Sequence, residues 1–192
     1  MSGIARIYLV CGGPGSGKDA LIQAVKDMGS LHARIVPKHT TRIRRRSDGE
    51  EMICADDSAW DLKSCDLQYV NHGDTYGVRT SDLWDNLMRR MPQVLVVSNH
   101  EAIQRLTEIF GRVVVLIYVH SDIAVDDFAS RETSGQDDGY VKRRSVEYNN
   151  AFRLYISNMK FFRHVVIYSG AQEDMFDQMF RIFAHYESSV AF

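Results

Sequence analysis

The sequence has no long apolar run, few cysteines and almost no net charge, and each shortage removes a class of protein. No apolar stretch approaches the roughly 18 residues that raise suspicion of a membrane helix, so no membrane is expected as a partner. The N-terminus lacks the charged-then-apolar pattern of a secretory signal, because glycines interrupt its first apolar run. The three cysteines, Cys11, Cys54 and Cys65, are odd in number and have no paired metal spacing. They read as reduced thiols of a cytoplasmic protein. The 23 basic and 25 acidic side chains nearly cancel, leaving a formal charge of −2. Global electrostatics therefore gives no reason to expect nucleic acid or an anionic membrane. No internal repeat and no low-complexity segment is present. What remains is an apolar fraction of 45% in 192 residues, which suits one globular domain or a core with a small inserted lobe.

One stretch organises the rest: Gly12-Gly13-Pro14-Gly15-Ser16-Gly17-Lys18-Asp19. Before it runs Ile4 to Cys11, short, apolar and β-branched like a buried strand. After it, Ala20, Leu21, Ala24, Val25 and Met28 recur at helical spacing until Gly29 ends the run. Strand, glycine-rich loop and helix are the context of a phosphate-binding loop, and Gly12 to Lys18 satisfies G-x-x-x-x-G-K. Glycines let successive backbone N–H groups form an anion cradle, and the helix N-terminus adds partial positive charge. Gly13, Pro14, Gly15, Ser16, Gly17, Lys18 and Asp19 are thus the candidate phosphate-binding residues, with Lys18 reaching the outer phosphates. Asp19 stands where a Ser or Thr hydroxyl normally binds Mg²⁺. A carboxylate there either holds Mg²⁺, as a hard-cation ligand beside a helix N-terminus, or marks a site altered in function.

Strands and helices alternate through much of the chain, which argues an α/β fold with a parallel sheet. Strands are expected at 33–37, 67–70, 94–97, 113–119 and 165–168. Helices are expected at 58–65 with Trp60 inward, from a Ser81 cap to 90, and at 100–110, 122–130, 140–158 and 172–186. Residues 73–77 read as a loop, and 132–139 as a polar mobile loop. Segment 38–91 breaks the alternation and reads as an inserted lobe between core segments 1–37 and 92–192. Phe161, Phe162, Phe176, Phe180 and Phe183 read most simply as core, and the seven histidines show no metal spacing.

The run Arg42-Ile43-Arg44-Arg45-Arg46 has three readings. It is a solvated charged loop, a nucleic-acid signal neutralised at once by Asp48, Glu50 and Glu51, or a clamp for a second phosphate. Phosphoryl transfer depends on positioning and charge stabilisation, so an acceptor phosphate needs cations opposite the donor. Arg42 and Arg45 make the best-spaced pair.

Together, the glycine loop and Thr40-Thr41-Arg42-x-x-Arg45 resemble guanylate kinase and its relatives among the P-loop kinases. Tyr76-Gly77, Arg131 and Val141-Lys142-Arg143-Arg144 fall where that group has an acceptor contact and lid arginines. The resemblance covers nearly the whole chain and implies five parallel core strands flanked by helices, an acceptor-binding lobe and a short lid at 131–144. It implies that Arg42, Arg45 and Tyr76 hold the acceptor phosphate, and Lys38 and Asp48 are further candidate acceptor-binding residues. Lys18, Arg42, Arg131 and Arg144 would be catalytic, with ATP and Mg²⁺ as cofactors.

The departures lie in the half that reads guanine. Lys38 replaces a serine, Leu67 a glutamate nine residues before Tyr76, and Val96-Val97-Ser98 an Asp-x-Asp. The glycine-x-x-tyrosine after the clamp is missing, the first lid arginine falls near Asp127, and Tyr168 takes the place of an asparagine near the adenine. Gly-Lys-Asp in the loop, Glu50-x-x-Ile53-Cys54-Ala55 and Trp60 are similar to ribose 1,5-bisphosphate phosphokinases, guanylate kinase relatives of phosphonate metabolism. The expected function is an ATP-dependent kinase acting on a small phosphate-bearing acceptor, a nucleoside monophosphate or a sugar bisphosphate. The rivals are a guanylate kinase proper and a non-catalytic guanylate-kinase-like binding module. No feature of the sequence specifies an oligomeric state.

Overall fold

The computed structural model describes residues 5–29, 33–45, 48–71, 73–121 and 138–187, with side chains from 145 onward in the last segment. Strand β1 (Ile7–Cys11) is buried along its whole length, as a central parallel strand covered on both faces must be. It lies mid-sheet in the order β2-β7-β1-β8-β9, where β2 is Arg34–Ile35, β7 Gln93–Val96, β8 Val114–Ser121 and β9 His164–Tyr168. All pairings are parallel, with Leu9 level with Leu95 on one side and Leu116 on the other. The five-stranded parallel sheet expected from the sequence is therefore present.

Alternation along β1 divides the core. Tyr8 and Val10 face α1 (Lys18–Asp27) and α5 (Gln172–Glu187), packing with Leu21, Val25, Met175, Met179 and Phe183. Ile7 and Leu9 face α2 (Thr80–Met88) and α3 (His100–Phe110), packing with Leu83, Leu95 and Leu106. Because β1 has neighbours reached in opposite chain directions, a crevice opens at the carboxyl ends of the strands, where the glycine loop lies.

The second sheet has the order β4-β3-β6-β5, from β3 (Lys38–Thr40), β4 (Met52–Ile53), β5 (Leu67–Asn71) and β6 (Asp74–Val78). Its Leu67, Tyr69 and Val78 join the cluster under β1 without a break. Residues 74–78 thus form a strand rather than the expected loop. Gly73 makes the tight turn at φ 87°, and Gly77 is glycine because a Cβ would lie 2.6 Å from both Cys65 and Leu62. The helix expected over 58–65 shrinks to a 3-10 turn at Leu62–Ser64. Asp57 accepts from Cys54 N and Asp61 from Ser64 N, local bonds that compete with helix formation. Trp60 is 37% exposed rather than inward, its indole donating to the Thr40 carbonyl at 2.8 Å.

α2 starts one residue before the expected Ser81 cap and ends at Met88. Its first amide, on Thr80, is taken by Asp66 at 2.7 Å, a cap from across the fold. α3 is capped by Asn99, whose side chain accepts from Ala102 N at 2.9 Å, and at its other end by Gly111. Phe161 and Phe180 are 55% and 46% exposed, against the core expectation, whereas Phe183 is buried. Helix α4 spans Asp138–Ser157. The helix expected over 122–130 and residues 132–137 of the loop expected over 132–139 lie outside the described residues, whereas 138–139 belong to α4 rather than to that loop.

Candidate functional site

The crevice is a cleft of about 710 Å³, walled by the glycine loop, the small sheet, α4 and the end of β9. A larger cavity of about 1040 Å³ between α3 and residues 154–163 shares only Leu154 with it and has none of the loop. Chemistry rather than size therefore identifies the site.

In the loop, Gly15 and Gly17 take φ of 67° and 97°, values that side-chain-bearing residues rarely adopt. Two further constraints come from tyrosines that local spacing does not show. A Cβ on Gly13 would lie 2.8 Å from the Tyr148 ring, and one on Gly17 would lie 2.4 Å from the Tyr168 ring. The Lys18 ammonium folds over the loop, donating to the carbonyls of Gly12 at 3.0 Å and Gly13 at 2.5 Å. The Ser98 hydroxyl also donates to the Gly12 carbonyl, at 3.2 Å. Pro14 lines the cleft, Ser16 is buried beneath the loop, and Asp19 is exposed on the first turn of α1. An exposed carboxylate beside the loop fits a hard cation such as Mg²⁺.

Across the cleft stand Arg42, Arg45, Asp48 and Tyr76. The Arg42 guanidinium donates to Asp48 at 2.8 Å, with both side chains only about a tenth exposed. Asp48 also accepts from the Arg45 amide at 2.6 Å. Burial alone would raise the Asp48 pKa, but Arg42 and that amide hold it below the usual carboxylate range. Arg44 turns away, forking Asp57 at 3.1 and 2.6 Å and donating to the Met52 carbonyl. So Arg42 and Arg44 each have a carboxylate partner. Because Asp57 is engaged by Arg44, the neighbouring Cys54, Asp56 and Asp57 read as a loop lock rather than a metal centre. Tyr76 stacks on Tyr69, with ring centroids 5.6 Å apart.

Lys38 also lines the cleft. It is buried at the seam of the two sheets, donating to the Val96 carbonyl at 2.6 Å with its ammonium over the Tyr76 ring. Burial, then repulsion from Lys18, pushes its pKa from 10.5 down to about 8, with Arg42 adding and Glu51 and Asp19 opposing. Leu67, the position nine residues before Tyr76, is buried opposite Val78. Facing Tyr76 is Tyr69 instead, and Tyr69 and Asn71 line the cleft. Tyr69 was legible only as the residue two along from Leu67 on one strand face.

α4 supplies Glu147, Asn150, Ala151 and Leu154 to the cleft wall, residues that no motif marked. Its Tyr148 hydroxyl donates to the Ser121 carbonyl at 2.9 Å, tying the helix to β8. Arg131, Asp127 and Arg46 lie outside the described residues, as do the side chains of Val141 to Arg144.

No protein-family model matches the chain, and no curated protein matches its sequence. Among solved structures, the crystal structure of guanylate kinase from Anaplasma phagocytophilum is similar, with a TM-score of 0.63. The likeness covers 97% of this chain and 88% of that one, at 17% identity. It shows the fold: an α/β P-loop architecture of the guanylate kinase kind.

Proposed function

We propose that this protein is an ATP-dependent phosphotransferase that moves a γ-phosphoryl group onto a small phosphate-bearing acceptor. One observation carries the reading: the Lys18 loop and the Arg42, Arg45 and Tyr76 group line the same cleft from different elements. A phosphate on the loop and a second phosphate at Arg42 would be brought together in that cleft, and holding two reactants in place is much of what such transfer needs. Lys18 would leave its loop carbonyls for the donor phosphates. Asp48 holds the Arg42 guanidinium ready, and Arg131 and Arg144 would close over the transferring group and exclude water. Mg²⁺, held by Asp19, would neutralise donor phosphate charge.

The acceptor we favour is a sugar bisphosphate such as ribose 1,5-bisphosphate, with GMP as the alternative. Steady-state ATP turnover with a panel of phosphorylated acceptors tests this directly. Tight ATP binding without turnover on any acceptor would instead favour a non-catalytic binding module.

Replacing Asp19 by alanine is expected to raise the Mg²⁺ requirement and remove most turnover, and Asp19→Ser to restore part of it. Wild-type rate and metal dependence in the alanine variant would make Asp19 only a helix-start carboxylate. Lys38 gives a pH signature. It carries charge below about pH 8 and loses it above, so attraction for an anionic acceptor is present at neutral pH and fades on the alkaline side. The acceptor's kcat/KM, which reports the free enzyme, should fall through that region, and Lys38→Met should flatten the limb. A level profile in the wild type up to pH 10 would remove Lys38 from acceptor binding.

A further inference from the structure

We infer that the donor's base is held by the aromatic face of Tyr168 and not read by hydrogen bonds, so the subsite takes purine and pyrimidine nucleoside triphosphates alike. The inference rests on the phosphotransferase reading above. Topology sets the direction of the donor. The small sheet and its clamp meet the core at β7, through Lys38 and the Val96 carbonyl, towards the β2 edge. With phosphates on the loop after β1 and the outermost one aimed at Arg42, the base must run the other way. That way lie β8 and then β9, the opposite edge of the sheet.

Tyr168 is the last residue of β9, and its ring lies against Gly17 while lining the cleft. Gly17 is therefore glycine for two reasons, its φ of 97° and the ring that takes the space of a Cβ. The polar side chains around Tyr168 are turned to the protein itself. Ser169 donates to Asp174 at 2.7 Å, Gln172 to the Ala20 carbonyl at 2.9 Å, and Gln178 brackets Ile167 through both its amide atoms. Ser98 is spent on the Gly12 carbonyl. Asp48 and Glu51 belong to the acceptor side, where Arg42 and Lys26 engage them. Among the described residues Glu147 and Asn150, on the α4 wall, also line the cleft, and the test below includes both. Stacking is tolerant of sequence because every base has a π-face, whereas discrimination needs directed donors and acceptors.

The test is equilibrium binding to the full chain, by calorimetry with Mg²⁺ and no acceptor, of ATP, GTP, CTP, UTP and inorganic tripolyphosphate. The four nucleotides are expected within about fivefold of one another, and each on the order of tenfold tighter than tripolyphosphate. Tyr168→Ala should bring the nucleotides to the tripolyphosphate level and leave tripolyphosphate itself unchanged. Tyr168→Leu, which keeps bulk against the core without a π-face, should do the same. Tyr168→Phe should match the wild type, and Glu147→Gln and Asn150→Ala should leave the ATP-to-GTP ratio unchanged. Preference for one base by more than about tenfold overturns the inference, as does tripolyphosphate binding as tightly as ATP or a Phe variant that behaves like Ala. Those outcomes leave the phosphate loop standing. No binding by any of the five overturns the loop assignment, and this inference with it.

Discussion

Replacing Lys18 by alanine is expected to abolish phosphoryl transfer from ATP while leaving the fold and its melting temperature nearly unchanged. The ammonium is only part-buried, and in the structure it bonds to carbonyls of its own loop, Gly12 and Gly13. Losing those bonds from a loop at the cleft should cost about 1 kcal/mol or less. For a chain of this size that shifts the melting temperature by roughly 2–4 °C. The same group is the point charge that would follow negative charge moving between donor and acceptor. Removing a preorganised charge of that kind commonly costs on the order of 10²–10³ in rate, and more where it carries the outer phosphates. Turnover with an acceptor the wild type uses, measured beside a thermal melt, separates the two effects. Wild-type turnover in a folded Lys18→Ala protein would reject the phosphate-loop assignment.

What the sequence made legible was what neighbours in the chain decide. Strand β1, the Gly12–Lys18 loop and α1 follow from adjacent residues, and α3 ends where Gly111 says it should. Arg42 and Arg45 stood out because their spacing is local and their charge unmistakable. Hidden features depend on partners far along the chain. Asp66 caps Thr80, 14 residues away. Tyr148 and Tyr168 impose glycine at 13 and 17 from α4 and β9. Gly73 and Gly77 made β6 look like a loop, although the first makes its turn and the second lets Cys65 and Leu62 pack close. The charge of Lys38 was legible in the sequence, but not its burial or the Val96 carbonyl to which it donates.

The same buried geometry is expected to make GMP a poor acceptor. Arg42, Arg45 and Tyr76 can hold a phosphate whatever it is attached to, but guanine's Watson–Crick edge presents N–H donors that need acceptors. Of the positions where the guanylate kinase resemblance would put base-reading groups, Leu67 is buried against Val78 and Val96 gives its carbonyl to Lys38. The two acidic side chains on the acceptor side are already engaged. Asp48 accepts from Arg42 and the Arg45 amide, and Glu51 from Lys26 and the Gly49 amide. Pulling either carboxylate away would strip a cation or an amide of its partner. Leaving a donor unpaired costs roughly 1–3 kcal/mol, so two such donors amount to about 30-fold to about 10⁴-fold in discrimination. Lys38 adds positive charge at the same seam, which would favour an acceptor with further anionic groups over a purine. GMP should therefore be phosphorylated weakly or not at all, with a sugar bisphosphate a better acceptor. The measurement is kcat/KM for GMP beside ribose 1,5-bisphosphate, AMP, CMP and UMP. A GMP value within the ordinary enzyme range of about 10⁴–10⁸ M⁻¹s⁻¹ and well above the others would mean that the cleft reads guanine after all.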